Sequence, residues 1–362
     1  MNPRQEPYEV IPHVRIRAGG RSQGRSLPRL KAVSSWRSIV RFSFALSAML
    51  LAFNFPATAQ QPKKVSRIGF LTTGAAGRYP FAETFRQGLR ELGYVDGKNI
   101  LIEYRHAEGR SERLPELAEE LVRLKVDVIV TTATEPSLAA QRATTTVPIV
   151  MVGGGDPVGA GLVSSLARPG GNITGVTTTS VDLSGKRLEL LKEVAPKISL
   201  VAVLWIPTAA GNKLQMKETD AAANSFRLHL QPVGVQGPDD FENAFSAINR
   251  GSANSLILLS SPMFASHRAR IADLAAKTRL PAIYPVGDYV EAGGLMSYGN
   301  NISEVYRRAA VYVEKILKGT KPTDVPVERP MKFEFVVNLK TAKQIGLTIP
   351  PNVLARADKI IK

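Results

Sequence analysis

The sequence contains no cysteine and only four histidines among its 362 residues. Without thiols the chain cannot form a disulfide scaffold, a cysteine-ligated zinc site, a thiol nucleophile or a CxxC redox centre. It also offers no cysteine for lipidation at the end of a signal peptide. His106, His229 and His267 lie far apart, and none has a carboxylate at the spacing of a metal site. We therefore predict no metal site and no cofactor.

The common catalytic signatures are missing as well. The sequence has no GxSxG elbow, no phosphate-binding GxxxxGK loop and no HExxH helix. The glycines at 153–155, 159 and 161 do not complete a GxGxxG motif. We therefore predict no catalytic residue and a protein that is not an enzyme. An exported α/β enzyme acting on a small molecule stays as the alternative, because a fold by itself does not determine function.

Basic residues outnumber acidic ones by 47 to 31, for a formal net charge of +16. A nucleic-acid interface would favour a clustered basic stripe with interleaved aromatic residues. Beyond residue 59 the basic residues instead occur singly or in pairs, as at Lys186-Arg187 and Arg307-Arg308. We therefore predict a solvated basic surface and no nucleic-acid partner. A DNA-binding regulator would also need a helix-turn-helix, which residues 1–59 do not contain.

The N-terminal 59 residues have the pattern of an export signal. An apolar run at 42–55 follows Arg37 and Arg41, and is shorter than the ~20 residues that a membrane-spanning helix needs. The run ends in a Pro-Ala-Thr-Ala-Gln sequence, which is typical of a cleavage site. We predict that residues 1–59 are removed between Ala59 and Gln60, leaving a periplasmic protein without a lipid anchor. An uncleaved anchor or a buried helix are the alternatives.

The rest of the chain alternates short β-branched runs with amphipathic stretches. This pattern is typical of parallel sheets covered by helices on both faces. The first half is predicted to have strands at 65–71, 100–104, 126–130 and 147–152, with helices at 81–92, 114–124 and 136–144. Later strands and helices are expected at 200–204, 255–259, 304–317, 333–338 and 341–346.

The two halves repeat each other at an offset of about 130 residues. An x-Pro-x-x strand around Pro148 is matched by one around Pro281, and Asp156 after the first is matched by Asp288 after the second. We predict two doubly wound α/β lobes joined by three crossovers. The first lobe would comprise residues 60–177 plus about 298–322, and the second 178–297 plus about 323–362. Stretches rich in glycine and asparagine at 171–177 and 297–302 are predicted to cross between them.

Several segments resemble a family of bacterial ABC-transporter substrate-binding proteins, similar to those that bind tryptophan or tyrosine. They include IGFL at 68–71, ELGYVDGKNILIEYR at 91–105, GDPVGAGLV at 155–163, RPGGNITGVT at 168–177 and KFEFVVNLKTAKQIGLTIP at 332–350. The resemblance runs from about residue 65 to 358 and implies the type I periplasmic-binding fold. It also implies a monomeric receptor that captures a small solute, such as an amino acid or an aromatic carboxylate, and delivers it to an ABC permease in the inner membrane. The leader lacks the twin-arginine start that is frequent in the family.

Polar residues follow the strands at the edge of each lobe where ligands of open α/β sheets bind. For an amino-acid ligand, Thr73, Thr134 and Ser137 would suit the carboxylate, whereas Glu135, Asp156 and Asp288 would suit the ammonium. Helix capping and turn formation are the alternative roles of such residues. Trp205 and Tyr289 could stack on a flat ligand or belong to the core. The predicted ligand-binding residues are Thr72, Thr73, Gly74, Thr134, Glu135, Ser137 and Asp156 in the first lobe, and Pro207, Ser260, Ser261, Asp288 and Tyr289 in the second.

Overall fold

A computed structural model describes residues 65–178 and 183–362 of the chain. All of these lie in one unit, Lys64–Lys362. The predicted signal peptide and its cleavage site between Ala59 and Gln60 fall outside the described residues. Within those residues, no helix combines the length and the apolar character that crossing a membrane requires.

The described strands form two sheets. The first has five parallel strands in the order β2-β1-β3-β4-β5. The second has seven, in the order β12-β11-β10-β9-β8-β6-β7, and all of its neighbours pair in parallel except β10 with β11. The strands are β1 Ser66–Thr72, β2 Ile100–His106, β3 Val128–Thr132, β4 Ile149–Val152, β5 Ile173–Val176, β6 Leu200–Trp205, β7 His229–Gly234, β8 Ser255–Leu258, β9 Ala282–Tyr284, β10 Met296–Asn300, β11 Phe333–Asn338 and β12 Lys359–Ile361.

Helices cover both faces of each sheet. Their inward-facing residues recur every three or four positions, as Phe81, Phe85 and Leu89 do in the first helix. The helices are α1 Phe81–Glu91, α2 Leu114–Arg123, α3 Thr134–Ala143, α4 Ser184–Val194, α5 Ala210–Ser225, α6 Phe241–Arg250, α7 Pro262–Ser266, α8 Arg268–Lys277, α9 Asp288–Glu291, α10 Ile302–Leu317, α11 Leu339–Gln344 and α12 Pro351–Leu354.

Each sheet has an apolar core on both of its faces. In the first lobe, α1 and α10 pack on one face around Phe70 and Phe85, whereas α2 and α3 pack on the other around Leu121 and Ile129. The second lobe likewise has one core around Leu191 and another around Phe245. Burial on both faces explains why the central strands are continuous apolar runs rather than alternating ones. The predicted architecture of two α/β lobes is confirmed.

The predicted internal repeat corresponds to two similar successions of elements. In the first lobe, β1-α1-β2-α2-β3-α3-β4 is matched in the second by β6-α5-β7-α6-β8-α8-β9. The two stretches predicted to cross between the lobes are largely strands, and the crossings lie at or just beyond their C-terminal ends, as at Asn301. Residues 173–176 form β5 at the edge of the first sheet, and residues 296–300 form β10 of the second. The glycine and asparagine residues suggested hinges. In the structure, the backbone of each stretch instead pairs with neighbouring strands, β5 with β4 and β10 with β9 and β11.

The chain passes between the sheets after Thr178, at Asn301 and between Glu328 and Phe333. Residues 298–300, which the sequence analysis assigned to the first lobe, continue β10 of the second sheet. Residues 325–328, assigned to the second lobe, run beside β5 of the first. There the Thr174 hydroxyl donates to the Val325 carbonyl at 2.6 Å, and the Glu328 N–H donates to the Gly175 carbonyl at 2.9 Å.

Candidate ligand site between the lobes

The two lobes meet at the loops that follow the carboxyl ends of their parallel strands. Between these loops lies a cavity of about 60 Å³. Both lobes contribute to its wall, which is made of aromatic rings, small apolar residues, hydroxyl groups and glycine backbone. The wall consists of Tyr79, Phe81, Ala133, Val152, Gly153, Gly154, Thr178, Ser260, Ser261, Pro262, Ala265, Pro285, Val286, Tyr289, Ile302 and Tyr306.

Three aromatic side chains of the first lobe form one side of this cavity. Phe81 stacks on Tyr306 with ring centroids 5.4 Å apart, and Tyr79 meets Phe81 edge-on at 5.5 Å. The hydroxyl groups of Tyr79 and Tyr306 hydrogen-bond to each other. Burial raises the pKa of both phenols well above the ordinary value, so both stay neutral. This part of the wall is therefore an apolar surface whose polar atoms already have partners.

The second lobe contributes a different tyrosine. Tyr289 is 1% exposed and stacks on Tyr284, with ring centroids 5.1 Å apart and an interplanar angle of 8°. Neither hydroxyl group has a hydrogen-bond partner among the described residues. Burial raises the pKa of Tyr289 well above its ordinary value, and Asp288 and the Tyr79 phenol of the other lobe add to the effect. Tyr289 is thus a neutral residue of the cavity wall whose buried hydroxyl has no partner among the described residues.

The backbone turns sharply where two adjacent strands of the first lobe reach the cavity. After β4, Gly153 and Gly154 have φ angles of 84° and 79°, which favour glycine. After β3, Ala133 has φ 70° and ψ −175°, a combination that residues with a Cβ rarely adopt. Backbone strain of this kind is found where surrounding structure enforces it, often at binding sites. It places Thr134 and Glu135 at the start of α3, facing the second lobe.

Glu135 closes one edge of the cleft. Its Oε1 accepts the N–H of Gly211, in the first turn of α5 in the other lobe, at 2.7 Å. Burial raises the pKa of Glu135, and the hydrogen bond from Gly211 opposes this only in part. The approach is tight, because a Cβ at Gly211 would lie 3.0 Å from Thr134 Oγ1 and 3.3 Å from Glu135 Oε1. Glycine at this position allows the two lobes to touch.

Ser266 closes the other edge of the cleft. Its Oγ accepts the N–H of Ala75 in the first lobe at 3.0 Å and donates to the Pro262 carbonyl at 3.0 Å. Nearby, a Cβ at Gly109 would lie 2.9 Å from Met263 Cγ of the opposite lobe. Ionisable groups surround this neutral hydrogen bond: burial lowers the pKa of His106 and of His267, and Glu108 accepts the Ala76 N–H at 2.9 Å. The structure therefore has its lobes in contact on both sides of the cavity.

The predicted ligand-binding residues divide into three groups. Ser260, Ser261 and Tyr289 lie on the cavity wall. Gly74, Thr134 and Glu135 lie at the contacts between the lobes, where Gly74 is next to Ser266. The remaining six residues lie off the wall, and their positions follow: Thr72, Thr73, Ser137, Asp156, Pro207 and Asp288.

Hydrogen bonds within the first lobe involve three of these six, through the side chains of Thr72 and Ser137 and through the backbone of Thr73. The Thr72 hydroxyl oxygen accepts from the Gly74 N–H and from the Thr132 hydroxyl. The Ser137 hydroxyl donates to the Ala133 carbonyl at 2.8 Å and so holds the first turn of α3. The Thr73 carbonyl accepts the Gly109 N–H. These residues support the loops behind the cavity.

The two repeated aspartates have different surroundings. Asp156 Oδ1 accepts the Gly159 N–H at 2.8 Å and caps its own turn. Asp288 begins α9 and lines a separate opening of about 360 Å³, which shares Ile302 with the cavity wall. Burial, together with the neighbouring Glu291, raises the pKa of Asp288. The repeat thus places both carboxylates at similar positions in the chain, but Asp156 caps its own turn whereas Asp288 begins a helix beside a separate opening.

The aromatic wall of the first lobe was not predicted from the sequence. Tyr79 and Phe81 flank Pro80 just after the first strand, and Tyr306 lies on the inner face of α10, where it looks like an ordinary core residue. An aromatic pair in the loop after a strand, in a chain with only 7% aromatic residues, was the available signal. Of the other predicted positions, Trp205 packs against the core of the second lobe and Pro207 lies against Gly234. In residues 65–178 and 183–362 there is no cluster of three or more potential metal ligands.

A cleft between two α/β lobes, closed over a small cavity at their strand ends, is a place where α/β proteins bind small molecules. The family described as ABC transporter substrate binding protein matches residues 74–361, which is most of the chain. The protein therefore belongs to the ABC transporter substrate-binding protein family, as its sequence segments predicted. It is also 28% identical to the tyrosine-binding protein of Clostridioides difficile (strain R20291) over 264 residues, or 73% of this chain and 75% of that one.

Two solved structures of similar identity differ in how well they superpose on this chain. A domain from Streptococcus pneumonia in complex with L-Trp is 26% identical, has a TM-score of 0.74 and covers 82% of this chain and 99% of its own. A ligand-free, open substrate-binding protein with adhesive properties from Clostridium difficile is 27% identical with the same coverage, but its TM-score is 0.55. The arrangement of the lobes in this chain is thus closer to that of the complex, in agreement with the contacts at both edges of the cleft.

Proposed function

We propose that this protein is the periplasmic receptor of an ABC importer and that it captures an amino acid with an aromatic side chain. The observation that carries the proposal is the cavity between the lobes, to which both lobes contribute aromatic rings and hydroxyl groups. Aromatic pairs at offset or edge-on geometry stabilise one another, so a ligand ring among Tyr79, Phe81 and Tyr306 would extend an existing cluster. Relatives that bind tyrosine and L-Trp support the same ligand class.

The polar groups at the cavity suit the two charged ends of an amino acid. Ser260 and Ser261 would offer donors to the carboxylate, together with backbone N–H groups of the loop at Gly153 and Gly154. Asp288 lies off the cavity wall, but the opening that it lines adjoins the cavity at Ile302, and its half-buried carboxylate would hold the ammonium there. An aromatic amino acid needs more room than the present 60 Å³. The lobes would therefore lie slightly further apart around it than they do in this structure.

The proposal includes export and delivery. Cleavage between Ala59 and Gln60 would release a monomeric receptor without a lipid anchor into the periplasm, where it would pass its ligand to a permease in the inner membrane. Mass spectrometry of periplasmic fluid checks the processing step, with a mature N-terminus at Gln60 as the expected result. Retention of residues 37–59 in a membrane-bound product would contradict it.

The alternative of an exported enzyme has less support at this cavity. Its wall, in the described part of the chain, contains hydroxyl groups but no histidine, lysine or carboxylate that could act as a base beside them. Nucleophilic catalysis needs such a base within hydrogen-bonding distance of the nucleophile. We therefore propose a binding protein that leaves its ligand unchanged.

A thermal-shift screen of the purified protein against the twenty amino acids tests this function. A ligand present at 100 times its Kd stabilises the folded state by about 2.7 kcal/mol, which is easily detected. Aromatic amino acids should raise the unfolding temperature, and calorimetry should give one site per chain with the ligand recovered intact. Stabilisation by aliphatic amino acids alone, or by none of the twenty, would contradict the proposal.

A further inference from the structure

A second pocket lies beside the crossings between the lobes, and its wall shares no residue with the cavity at the strand ends. Its volume is about 430 Å³, whereas that cavity has about 60 Å³. Aliphatic side chains of α1, β5, α10 and the crossing after Glu328 line it, among them Leu92, Val176, Val305 and Val311. Pockets of about 300–1,000 Å³ with mostly apolar walls are the usual sites for small organic ligands. We call this one the hinge pocket.

The charged side chains around the hinge pocket balance one another. Arg308 and Glu328 form an ion pair, and the Glu91 carboxylate accepts a hydrogen bond from the Gln87 amide. The charged residues of the wall are three basic and three acidic ones: Arg307, Arg308, Lys332, Glu91, Glu304 and Glu328. An aliphatic interior with a rim of no net charge suits a neutral, apolar molecule better than an ion, because an ion would lose hydration without a matching excess of opposite charge.

The crossing that borders the hinge pocket is attached to a different lobe at each of its ends. At the first-lobe end, the Glu328 N–H donates to the Gly175 carbonyl of β5 at 2.9 Å. At the second-lobe end, the Lys332 carbonyl accepts the side-chain amide of Asn300 in β10 at 3.3 Å, and β11 begins with the next residue. Residues 329–331 therefore span from one lobe to the other. Movement of the lobes has to be taken up in short crossings of this kind.

The hinge pocket has wall residues on both sides of this span. Val305 and Val311 belong to α10 of the first lobe, whereas Met331 and Lys332 lie on the crossing towards the second. Met331 is 79% exposed, more than any other large hydrophobic residue of the described chain. The shape of the pocket thus depends on the arrangement of the lobes, which are in contact in this structure. A molecule that fits this shape binds the closed arrangement better than an open one and stabilises closure accordingly.

We propose that the hinge pocket binds a small, neutral, apolar molecule and that this binding raises the affinity of the cleft for its amino acid. Closure of the lobes connects the two sites, because both depend on the same arrangement. The coupling rests on the proposed function, whereas the site itself does not. Coupling between two binding sites is reciprocal, so the amino acid should raise the affinity for the apolar molecule by the same factor.

Fluorescence titration with N-phenyl-1-naphthylamine, a neutral apolar dye that becomes brighter in apolar surroundings, tests the site. We expect saturable binding of one dye molecule per chain. Val311→Asp places a carboxylate on the pocket wall and should weaken dye binding by at least about tenfold, since the dye would bury a charge. Met331→Asp should weaken it as well, at a position that is too exposed to affect folding.

Val158→Asp is the matched control for the dye. Val158 is also a valine of the first lobe, it is 43% exposed and it does not line the hinge pocket. This variant should bind the dye as wild type does. No saturable binding, or equal dye affinity in wild type, Val311→Asp and Met331→Asp, would overturn the site. Displacement of the dye by L-tryptophan would overturn it too, because the dye would then occupy the cleft.

Calorimetry of L-tryptophan with and without saturating dye tests the coupling. We expect the affinity for L-tryptophan to be about fivefold or more higher with the dye bound, and this increase to be lost in Val311→Asp. An affinity that is equal or lower with the dye would overturn the coupling and leave the proposed function intact. If L-tryptophan binds neither with nor without dye, the proposed function and the coupling fail together, whereas the dye titrations still decide on the site.

Discussion

The two lobes of this protein share a succession of strands and helices, but they bring different chemistry to the cleft. The first lobe contributes a strained turn at Ala133, the buried carboxylate of Glu135 and tyrosines that already bond to each other. The second contributes the backbone N–H of Gly211, the hydroxyl of Ser266 and the unpartnered Tyr289. A repeated succession of elements therefore does not imply a symmetric site, because the loops after the strands differ although the order of strands and helices is repeated.

The largest expected effect comes from filling the gap between the lobes at Gly211. Gly211→Val places a branched side chain where even a Cβ would lie 3.0 Å from Thr134 Oγ1. Overpacking costs about 1–3 kcal/mol, and it would fall on the closed form alone, for a loss of ligand affinity of roughly five- to 150-fold. Calorimetry measures the affinity, and small-angle scattering with saturating ligand should show a larger radius of gyration than for wild type.

Gly185→Val is the matched control for this variant. Gly185 also lies in the first turn of a helix in the second lobe, but a Cβ there would meet only Ala222 Cβ, at an ordinary 3.7 Å. It should therefore bind ligand as wild type does. Equal affinities for Gly211→Val and wild type would show that closure at this edge does not contribute to binding.

The next largest loss of ligand affinity is expected at one of the two repeated aspartates, Asp288, and not at the other, Asp156. Asp288→Asn should weaken ligand binding by about tenfold, less than the loss for a fully buried charge pair, because Asp288 is only partly buried. Asp156→Asn should change it little, because the amide oxygen can still accept the Gly159 N–H. Calorimetry on both variants decides between them. If both bind within threefold of wild type, neither aspartate holds the ammonium, and the difference between the lobes does not extend to these loops.

Closure of the lobes at the edge formed by Glu135, and with it the ligand affinity, should depend on pH. Its pKa is raised by burial in the closed form, so the closed form holds the proton more tightly than an open form in which the carboxyl is solvated. Closure is then most favourable below the ordinary pKa of about 4.3 and becomes less favourable as pH rises through the higher value. Ligand affinity should accordingly decrease between about pH 4.3 and neutrality.

The variant Glu135→Gln separates the effect of Glu135 ionisation on ligand affinity from that of other titrating groups. The amide retains an acceptor for the Gly211 N–H but does not ionise, so affinity at neutral pH should be equal to or higher than that of wild type. His106, His267 and Asp288 also titrate, but they are common to both proteins and cancel in the comparison. Calorimetry of both proteins across this pH range provides the test. An identical pH dependence in Glu135→Gln would contradict the assignment.

The smallest loss of ligand affinity is expected at the opposite edge of the cleft, which Ser266 closes. Ser266→Ala removes the acceptor for the Ala75 N–H, a neutral hydrogen bond worth about 0.5–1.5 kcal/mol, or a roughly two- to tenfold loss of affinity. The fold loss relative to wild type should be the same at pH 5 and pH 7, because the variant removes no titrating group and His106 and His267 of this edge are common to both proteins. A pH-dependent fold loss in this variant would contradict the contrast with the hydrogen bond of Glu135.

Much of the fold could be predicted from the chain because its signals are local. The apolar period of α1, the strands around Ile68 and Val150 and the recurrence of Pro148 at Pro281 each depend on a few neighbouring residues. The crossing between the lobes that was predicted at 171–177 differs from the structure, because an edge strand there has the composition of a hinge. Residues 173–176 contain the glycine and the polar residues of a loop, but Thr174 and Gly175 find partners about 150 residues later in the chain.

The sequence by itself determined two α/β lobes, the family and the loops from which a site is built, because periodicity and strand-end position are properties of short segments. Only the tertiary structure decided which of those loop residues face the cavity. Thr72 and Ser137 form bonds within their own lobe, Glu135 finds its partner 76 residues away, and Tyr306 reaches the wall from a helix that looks like core. These assignments depend on contacts between segments far apart in the chain, and such contacts exist only once both lobes have folded and met.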